Sequence, residues 1–457
     1  MSEEKVMGYL PDERPRFFEL ILFALQQIVV MFPATVLVAL ITNFHVSTTI
    51  FASGLATLAF ILVTGRKIPL YYGSSFSYIA AISSIMTAEA FQDYSLNDKI
   101  SVAQFGIVMS GLVSILAGLI IKKFGNKLIN KVLPATVTGS IAIIIGLSLA
   151  ANALDNADSI PANIGNMSIS TAQGFAWLIA IVTLLSTILY SVYLKGKLSQ
   201  LPVLFGLLTG YLTALIIDLA TGIDFINFAT IESNRIFNLP IFTLPKPSWA
   251  AVFAIMPIAL ATIPESTAHL FQLDIYVNEL ARRKGVEKRY DIENRLGSNL
   301  IGDGLGDIVA GMIGGPAGTN YGENISTMAI TKTFSVSILI VASIITMIIS
   351  CFTPLINVVY SIPTPVIGGL SIYLFGVIGA QGIAIMLDKK VDMFNARNLA
   401  VIAVILIVGL GGHFNYEGGM IPVFGIKLPA IATAAIVGII LNLLLTIGHK
   451  EKTTQNA

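Results

Sequence analysis

Two stretches in opposite halves of the chain decide its fold: Tyr72-Gly73-Ser74-Ser75-Phe76-Ser77, followed by Ala80, and Tyr321-Gly322-Glu323-Asn324-Ile325-Ser326, followed by Ala329. A second matching pair follows them in the same order: Leu133-Pro134-x-x-Val137-x-Gly139 and Ile362-Pro363-x-x-Val366-x-Gly368. Each match alone is weak, because Gly and Pro punctuate many membrane helices. Their shared order indicates that the chain contains two structural repeats.

The composition around these repeats is that of a polytopic membrane protein. Of 457 residues, 55% are hydrophobic and only 12% are charged, and the mean hydropathy is +0.82. Soluble domains carry about 25% charged residues. The net charge of +1 gives no indication of nucleic-acid binding. The single Cys351 lies in an apolar run, which excludes a disulfide framework and a cysteine metal site. Residues 1–16 are polar with mixed charge, so no secretory signal is expected.

Twelve apolar runs are long enough to span a bilayer, which takes roughly 17–25 residues. They lie near 17–41, 47–64, 100–121, 133–154, 172–194, 200–221, 248–273, 296–315, 334–355, 364–387, 397–412 and 427–447. Two shorter apolar runs, 76–88 and 323–331, each follow a Gly-rich stretch and are predicted to be half-helices. Counting both as crossings gives fourteen segments.

The positions of Lys and Arg favour crossing by both half-helices. If both termini are cytoplasmic, fourteen crossings place 23 of the 27 basic residues on the cytoplasmic side, as the positive-inside rule requires. Only Lys99, Arg235, Lys246 and Lys427 then lie outside. Without either crossing, the basic cluster at residues 282–289 would lie on the wrong side.

An odd number of segments in each repeat gives the two repeats opposite orientations, which is the inverted-repeat plan of secondary transporters. The approaches to the half-helices, 68–73 and 314–322, are expected to be extended, because Gly and Pro break helices. The sequence therefore predicts an all-α polytopic membrane protein with fourteen transmembrane segments in two inverted seven-segment repeats. Two short antiparallel strands are predicted to lead into half-helices 3 and 10.

Two acids in apolar segments, Glu265 and Glu323, are the candidate functional residues. An ionisable group in hydrocarbon costs about 2.5–3.5 kcal/mol on insertion scales and by default marks a substrate or proton pathway. His269 lies four residues after Glu265, on the same helical face, and is a candidate for handling a proton. Asp303 and Asp307 are also one turn apart, in a Gly-rich segment, where an Asp can simply bind a neighbouring backbone N–H.

The stretch Tyr321–Lys332 resembles the signature of the nucleobase-ascorbate transporter family, and its Tyr-Gly-Glu form is most similar to bacterial uracil:proton symporters. Supporting matches are the run Gln26–Val36, Gly73-Ser74-Ser75-Phe76 and Glu265-x-x-x-His269. The resemblance covers roughly residues 12–447 and departs from the family pattern at Gln27, Ser266, Ser326 and Phe375.

The resemblance implies proton-coupled import of uracil across the cytoplasmic (inner) membrane by a homodimer that contacts lipid and needs no cofactor or metal. Both termini would be cytoplasmic. The site residues it implies are Glu265 and Glu323 for the ring N–H groups, the backbone N–H groups of Phe76 and Gly322 for the carbonyls, Ala34 and Tyr321 as lining, and His269 with Glu265 for proton coupling.

The resemblance also implies a core domain, from segments 1–4 and 8–11, and a gate domain, from segments 5–7 and 12–14, through which the protein dimerises. The corresponding ranges are a cytoplasmic tail 1–16, core 17–125, gate 126–222, an extracellular loop 223–246, core 247–355, gate 356–447 and a cytoplasmic tail 448–457. Gly139 and Gly368 are expected to let the gate helices bend or slide against the core.

Four other functions remain as alternatives. A purine carrier for xanthine or urate would more typically have Gln in place of Glu323, and a passive nucleobase channel would need no titratable pair. A membrane enzyme would need a nucleophile or a metal set, but His45, His413 and His449 have no ligand spacing. An anion exchanger would need a cation between the half-helices, where the sequence has neither Lys nor Arg.

Overall fold

The computed structural model describes residues 8–125, 132–165, 167–196, 198, 201–227, 235–423 and 426–447. The predicted tail 448–457, with His449, lies outside these residues. Within the described part of the chain, nine helices are long and apolar enough to cross a membrane. The protein is therefore helical and multi-pass, as its composition predicts.

The first half contains helices of full span and one short strand–helix unit. Its elements are α1 (Phe17–Thr42), α2 (Val46–Val63), β1 (Tyr72–Ser74), α3 (Ile79–Thr87), α4 (Leu96–Phe124), α5 (Ala135–Ser148), α6 (Ala150–Ala157), α7 (Ile169–Tyr193) and α8 (Pro202–Thr221). A single 3-10 turn, Phe76–Tyr78, joins β1 to α3.

The second half again has a short strand–helix unit, β2 followed by α12, between longer helices, and it contains a second strand pair. Its elements are α9 (Trp249–Ile255), α10 (Ala259–Arg283), α11 (Leu296–Ile313), β2 (Gly318–Asn320), α12 (Gly322–Thr331), α13 (Val336–Ile349), α14 (Thr353–Tyr360), α15 (Thr364–Asp388), α16 (Ala396–Leu406), α17 (Gly412–Asn415), β3 (Met420–Val423), β4 (Ile426–Pro429) and α18 (Ala430–Thr446). A 3-10 turn around Pro257 separates α9 from α10, and a π-helical turn, Ile407–Gly411, separates α16 from α17.

The structure confirms the predicted pair of strands. β1 and β2 are antiparallel, with Tyr72 opposite Asn320 and Ser74 opposite Gly318. Both strands are buried throughout. The pairing gives backbone N–H and C=O groups of the strands a partner at membrane depth. Each strand has only three paired residues, so the helices around the strands still pack against one another.

The end of the chain differs from the prediction. The apolar run at 427–447 does not begin as a helix, because residues 426–429 form β4 and pair with β3 in an antiparallel hairpin that the sequence did not predict. Helix α18 begins only at Ala430, after Pro429. Along α10, in contrast, the helix continues to Arg283, ten residues beyond the predicted run.

Residues 8–13 form a strap across one face of the molecule, called the N-terminal face below. It joins the loop after α10 to the loop after α12. Its contacts are Tyr9 N–H to Lys332 O (2.8 Å), Phe334 N–H to Tyr9 O (2.7 Å), Lys284 Nζ to Glu13 Oε2 (2.6 Å) and Lys288 Nζ to Asp12 Oδ2 (2.5 Å). The start of α1 and the ends of α10 and α12 therefore share this face.

A second set of contacts marks the opposite face. It joins the ends of α1, α11 and α13 and the starts of α2 and α4, in part through the segment after α8. The contacts are His45 Nε2 to Asn97 Oδ1 (2.7 Å), Thr48 Oγ1 to Ile241 O (2.7 Å), Thr243 N–H to Ile313 O (3.4 Å) and Asn238 N–H to Cys351 O (3.0 Å). The β1–α3 and β2–α12 units each run between the two faces.

The glycines of the second repeated motif pack inside the predicted gate domain. A Cβ at Gly139 would lie 2.6 Å from the backbone oxygen of Gly382, and a Cβ at Gly368 would collide with the backbone of Ala157. Both glycines face other helices of the predicted gate, and the expectation that they let the gate helices bend or slide against the core remains a prediction. They allow α5 and α6 to approach α15 closely, as small residues do between membrane helices.

We predict that Gly139→Leu destabilises the protein by about 1–3 kcal/mol or more, because overpacking a close backbone contact displaces both helices. The matched control is Gly376→Leu on α15, where a Cβ would meet no atom within 4 Å. Melting of the detergent-purified variants, followed by size-exclusion chromatography, measures the difference. Equal melting temperatures for the two variants would contradict the close contact between α5 and α15.

Candidate substrate site

The strand pair carries two tyrosines that pack reciprocally on glycines of the opposite strand region. The ring of Tyr321 covers Gly73 and the ring of Tyr72 covers Gly318, so that neither glycine has room for a Cβ. The Tyr321 hydroxyl donates to the Ser74 carbonyl at 2.8 Å. These contacts fix the two strands at the positions from which the short helices begin.

Asp307 of α11 holds the second strand in place. Its Oδ1 accepts the Tyr72 hydroxyl at 2.5 Å and the Gly318 N–H at 2.8 Å. The interpretation that an Asp in this Gly-rich helix binds a backbone N–H is confirmed for Asp307. The carboxylate supports the strand crossing and is buried behind it.

Glu265 and Glu323 lie on the two elements that flank the crossing. Glu265, in α10, is half-buried, and the Ser77 hydroxyl at the start of the first short helix lies 3.5 Å from its Oε2. Glu323 is the second residue of α12, where the helix dipole favours an acidic side chain. Its side chain is exposed, and its carboxylate is close enough to that of Glu265 for the two charges to repel.

His269 lies one turn after Glu265 on α10 and faces the start of α12, the helix that carries Glu323. A Cβ at Gly322 would lie 2.9 Å from its Nε2, so the imidazole packs directly against the first residue of α12. The backbone of Asn320 also interacts with the ring. Nδ1 is buried and has no hydrogen-bond partner among the described residues. The histidine that the sequence indicated therefore lies on the helix of Glu265 and contacts the helix of Glu323.

The other predicted residues surround this region, and their roles toward a substrate remain predictions. Phe76 packs against an apolar cluster that includes Leu149 and Phe375, two residues of the predicted gate. Tyr321 is buried, and its hydroxyl lies 3.0 Å from Thr35 Oγ1, next to the half-buried Ala34.

Access to the site differs between the two faces. On α12 an exposed strip of Glu323, Ser326 and Ile330 runs from the site toward the N-terminal face. Toward the opposite face, an apolar cluster packs α1 and α3 against the predicted gate, with Leu37, Val38, Ile79, Leu149, Ile367, Leu370 and Phe375 among its buried members. These apolar contacts lie between the site and the opposite face.

A buried polar network that the sequence did not predict lies behind the site. It joins Ser266 and Asp303 through a short hydrogen bond, Asn299 Nδ2 to Ser266 Oγ (2.6 Å) and Asn320 Nδ2 to Asp303 Oδ1 (2.7 Å). These residues lie on α10, α11 and β2. In the sequence, Asp303 is marked by its acidity and Ser266 by its departure from the family pattern, but neither feature predicts the network, since Ser and Asn occur throughout membrane helices.

A second polar contact joins α1 to α12. Asn324 Nδ2 donates to Gln27 Oε1 at 2.8 Å and to the Gln27 carbonyl at 2.9 Å. Both residues are buried. The contact ties the first helix of one half to the residue that follows Glu323.

Known proteins match this chain in sequence over nearly its whole length. A family model described as "Permease family" matches residues 18–418. The uracil permease of Bacillus caldolyticus is 35% identical over 441 residues, which cover 95% of this chain and 94% of that protein. The uracil permease of Bacillus subtilis (strain 168) is 33% identical over 99% of this chain and 98% of its own length. The uracil permease of Escherichia coli (strain K12) is 33% identical over 95% of this chain and 92% of its own length.

Solved structures resemble the chain in fold. The overall structure of SLC26A9 matches with a TM-score of 0.61 at 12% identity, over 94% of this chain and 65% of that one. The transmembrane domain of the cyanobacterial bicarbonate transporter BicA matches with a TM-score of 0.58 at 15% identity, over 95% of this chain and 99% of that one. From the family model and the relatives together, this chain belongs to the permease family that includes bacterial uracil permeases.

Proposed function

We propose that this protein is a proton-coupled symporter that imports uracil across the cytoplasmic membrane by alternating access. The observation that carries the proposal is the convergence of Glu265, Glu323 and His269 on one strand crossing. The names of its relatives support uracil as the substrate.

The site complements uracil group for group. A pyrimidine dione offers two N–H donors, which Glu265 and Glu323 accept, and two carbonyl acceptors. The backbone N–H groups of Phe76 and Gly322 lie at the first positions of helical turns, where N–H groups lack helical partners and suit carbonyl oxygens. A buried polar site of this kind rejects analogues that lack one partner group, by about 10⁴-fold in favourable cases.

Proton coupling belongs to His269 and Glu265 in this proposal. Burial makes the charged form of a carboxyl costly, so a proton stabilises Glu265 while a neutral base occupies the site. His269 lies one turn away and contacts Gly322, which places an imidazole between the proton site and the base. Substrate and proton would then enter together.

We further propose fourteen segments in two inverted repeats, with both termini cytoplasmic and with the core, gate and dimer arrangement that the sequence predicts. The two sets of loop contacts support crossing by both short helices. Lys284, Lys288 and Lys332 lie on the N-terminal face, which the positive-inside rule identifies as cytoplasmic. With this orientation, the exposed strip on α12 runs from the site toward the cytoplasm.

Uptake of labelled uracil tests the proposal. In cells lacking their own uracil carrier, the protein should accumulate uracil, and a protonophore should abolish the accumulation. Excess xanthine should not compete. Uptake that a protonophore leaves unchanged would indicate a passive channel, and competition by xanthine at equal concentration would favour a purine carrier.

A further inference from the structure

Ser266 joins α10, which carries Glu265, to α11 and β2. Its hydroxyl donates to Asp303 and accepts from Asn299 Nδ2 at 2.6 Å and from Asn320 Nδ2 at 3.2 Å. Three hydrogen bonds on one hydroxyl use its donor and both of its acceptor lone pairs. All four residues are buried, with exposures of 7% or less.

The Ser266 hydroxyl links a residue next to one of the two acids with a residue near the other. Ser266 directly follows Glu265 on α10, and Asn320 lies three residues before Glu323, at the end of β2. The network therefore connects the backbone segments that carry the two carboxylates. Side-chain hydrogen bonds in a water-free interior are stiff, because breaking one leaves a buried polar group unsatisfied.

We propose that Ser266 is a positioning residue that sets the separation of Glu265 and Glu323, and so limits the site to single-ring bases without bulky substituents. The inference rests on the proposed uracil transport. Ser266 does not touch the base. It holds α10 against β2, so that the carboxylates cannot move apart to admit a fused ring or a substituent on the pyrimidine.

Ser266→Ala is the variant that tests this role. Ala is the best helix former and the change removes a single buried oxygen, so the helix is retained. The matched control is Thr267→Val on the next position, whose hydroxyl bonds within its own helix, to Ile263 O at 2.7 Å. Ser266→Cys keeps the shape of the side chain but replaces the hydroxyl by a larger and much weaker hydrogen-bonding group, and Ser266→Thr keeps the hydroxyl.

Uptake kinetics and competition by thymine and xanthine are the measurements. In Ser266→Ala the KM for uracil should rise about tenfold with little change in maximal rate. The ratio of the inhibition constant to the KM for uracil should fall about tenfold for both thymine and xanthine. Ser266→Cys should shift in the same direction, and Ser266→Thr should return toward the parent protein. Thr267→Val should match the parent protein.

Several outcomes would overturn the inference while leaving the proposed function intact. One is a Ser266→Ala protein with the KM and competition profile of Thr267→Val. Another is a fall in maximal rate with unchanged selectivity, which would indicate a general packing role. If Ser266→Ala fails to fold, Ser266→Cys with unaltered selectivity would overturn it equally. Failure of the parent protein to transport uracil would instead refute the proposed function itself.

Discussion

Glu323→Gln is expected to abolish uracil binding. Glu323 lies at the start of α12 with its side chain exposed toward the open side of the site, beside a second acid, Glu265. An amide has one acceptor oxygen, and its N–H₂ group presents a donor where the base also donates. An unpaired donor facing another donor should weaken binding by about 10³-fold or more, as for sites that lose a required partner group.

Isothermal titration calorimetry on the purified protein measures this effect without requiring transport. The control is Glu279→Gln, the same change at the far end of α10, where the carboxylate pairs with Arg282 and Arg283 on the surface. Its affinity for uracil should stay within about twofold of the parent protein, because surface ion pairs contribute little. Near-normal binding by Glu323→Gln would remove Glu323 from the site.

His269→Ala is expected to collapse gradient-driven accumulation of uracil while weakening binding only modestly. The direct contacts to the base belong to the two acids and two backbone N–H groups, so loss of the imidazole removes none of them. What is lost is a group that lies against Gly322 and has one buried nitrogen without a partner among the described residues. Imidazole is the side chain best suited to gain and lose a proton near neutral pH.

Reconstituted vesicles with an imposed pH gradient separate coupling from binding. His269→Ala vesicles should exchange labelled for unlabelled uracil across the membrane but should fail to concentrate it. His45→Ala, which removes an imidazole that contacts Asn97 on the opposite face, should accumulate uracil normally. Uphill uptake by His269→Ala at the level of the parent protein would leave Glu265 as the sole proton carrier and reduce His269 to packing.

The sequence predicted the strand pair at Tyr72 and Asn320, because Gly and Pro break helices and exposed backbone at membrane depth needs a partner. Glu265 and His269 could be selected as candidates because an acid in an apolar segment is expensive and because a spacing of four places both on one helical face. Their roles toward a substrate remain predictions.

Features that depend on which helices are neighbours could not be predicted. Nothing in the motif around Gly139 says that the facing backbone is that of Gly382 and not of the core. Ser266 and Asn320 are more than fifty positions apart in sequence, and their hydrogen bond exists only after α10 and β2 have packed. The sequence placed the start of α18 too early, because β4 and α18 follow each other in one apolar run without a break in hydropathy between them.

The pairing of β1 with β2 has a consequence for biosynthesis. Tyr72 leaves the ribosome roughly 250 residues before its partner Asn320, which at about 5–20 residues per second is a delay of about 12–50 s. During that time the first strand has no ladder partner, although its backbone groups cannot remain unsatisfied in lipid. The native strand pair therefore forms only once the second half has been inserted, and the first half alone cannot reach the native state.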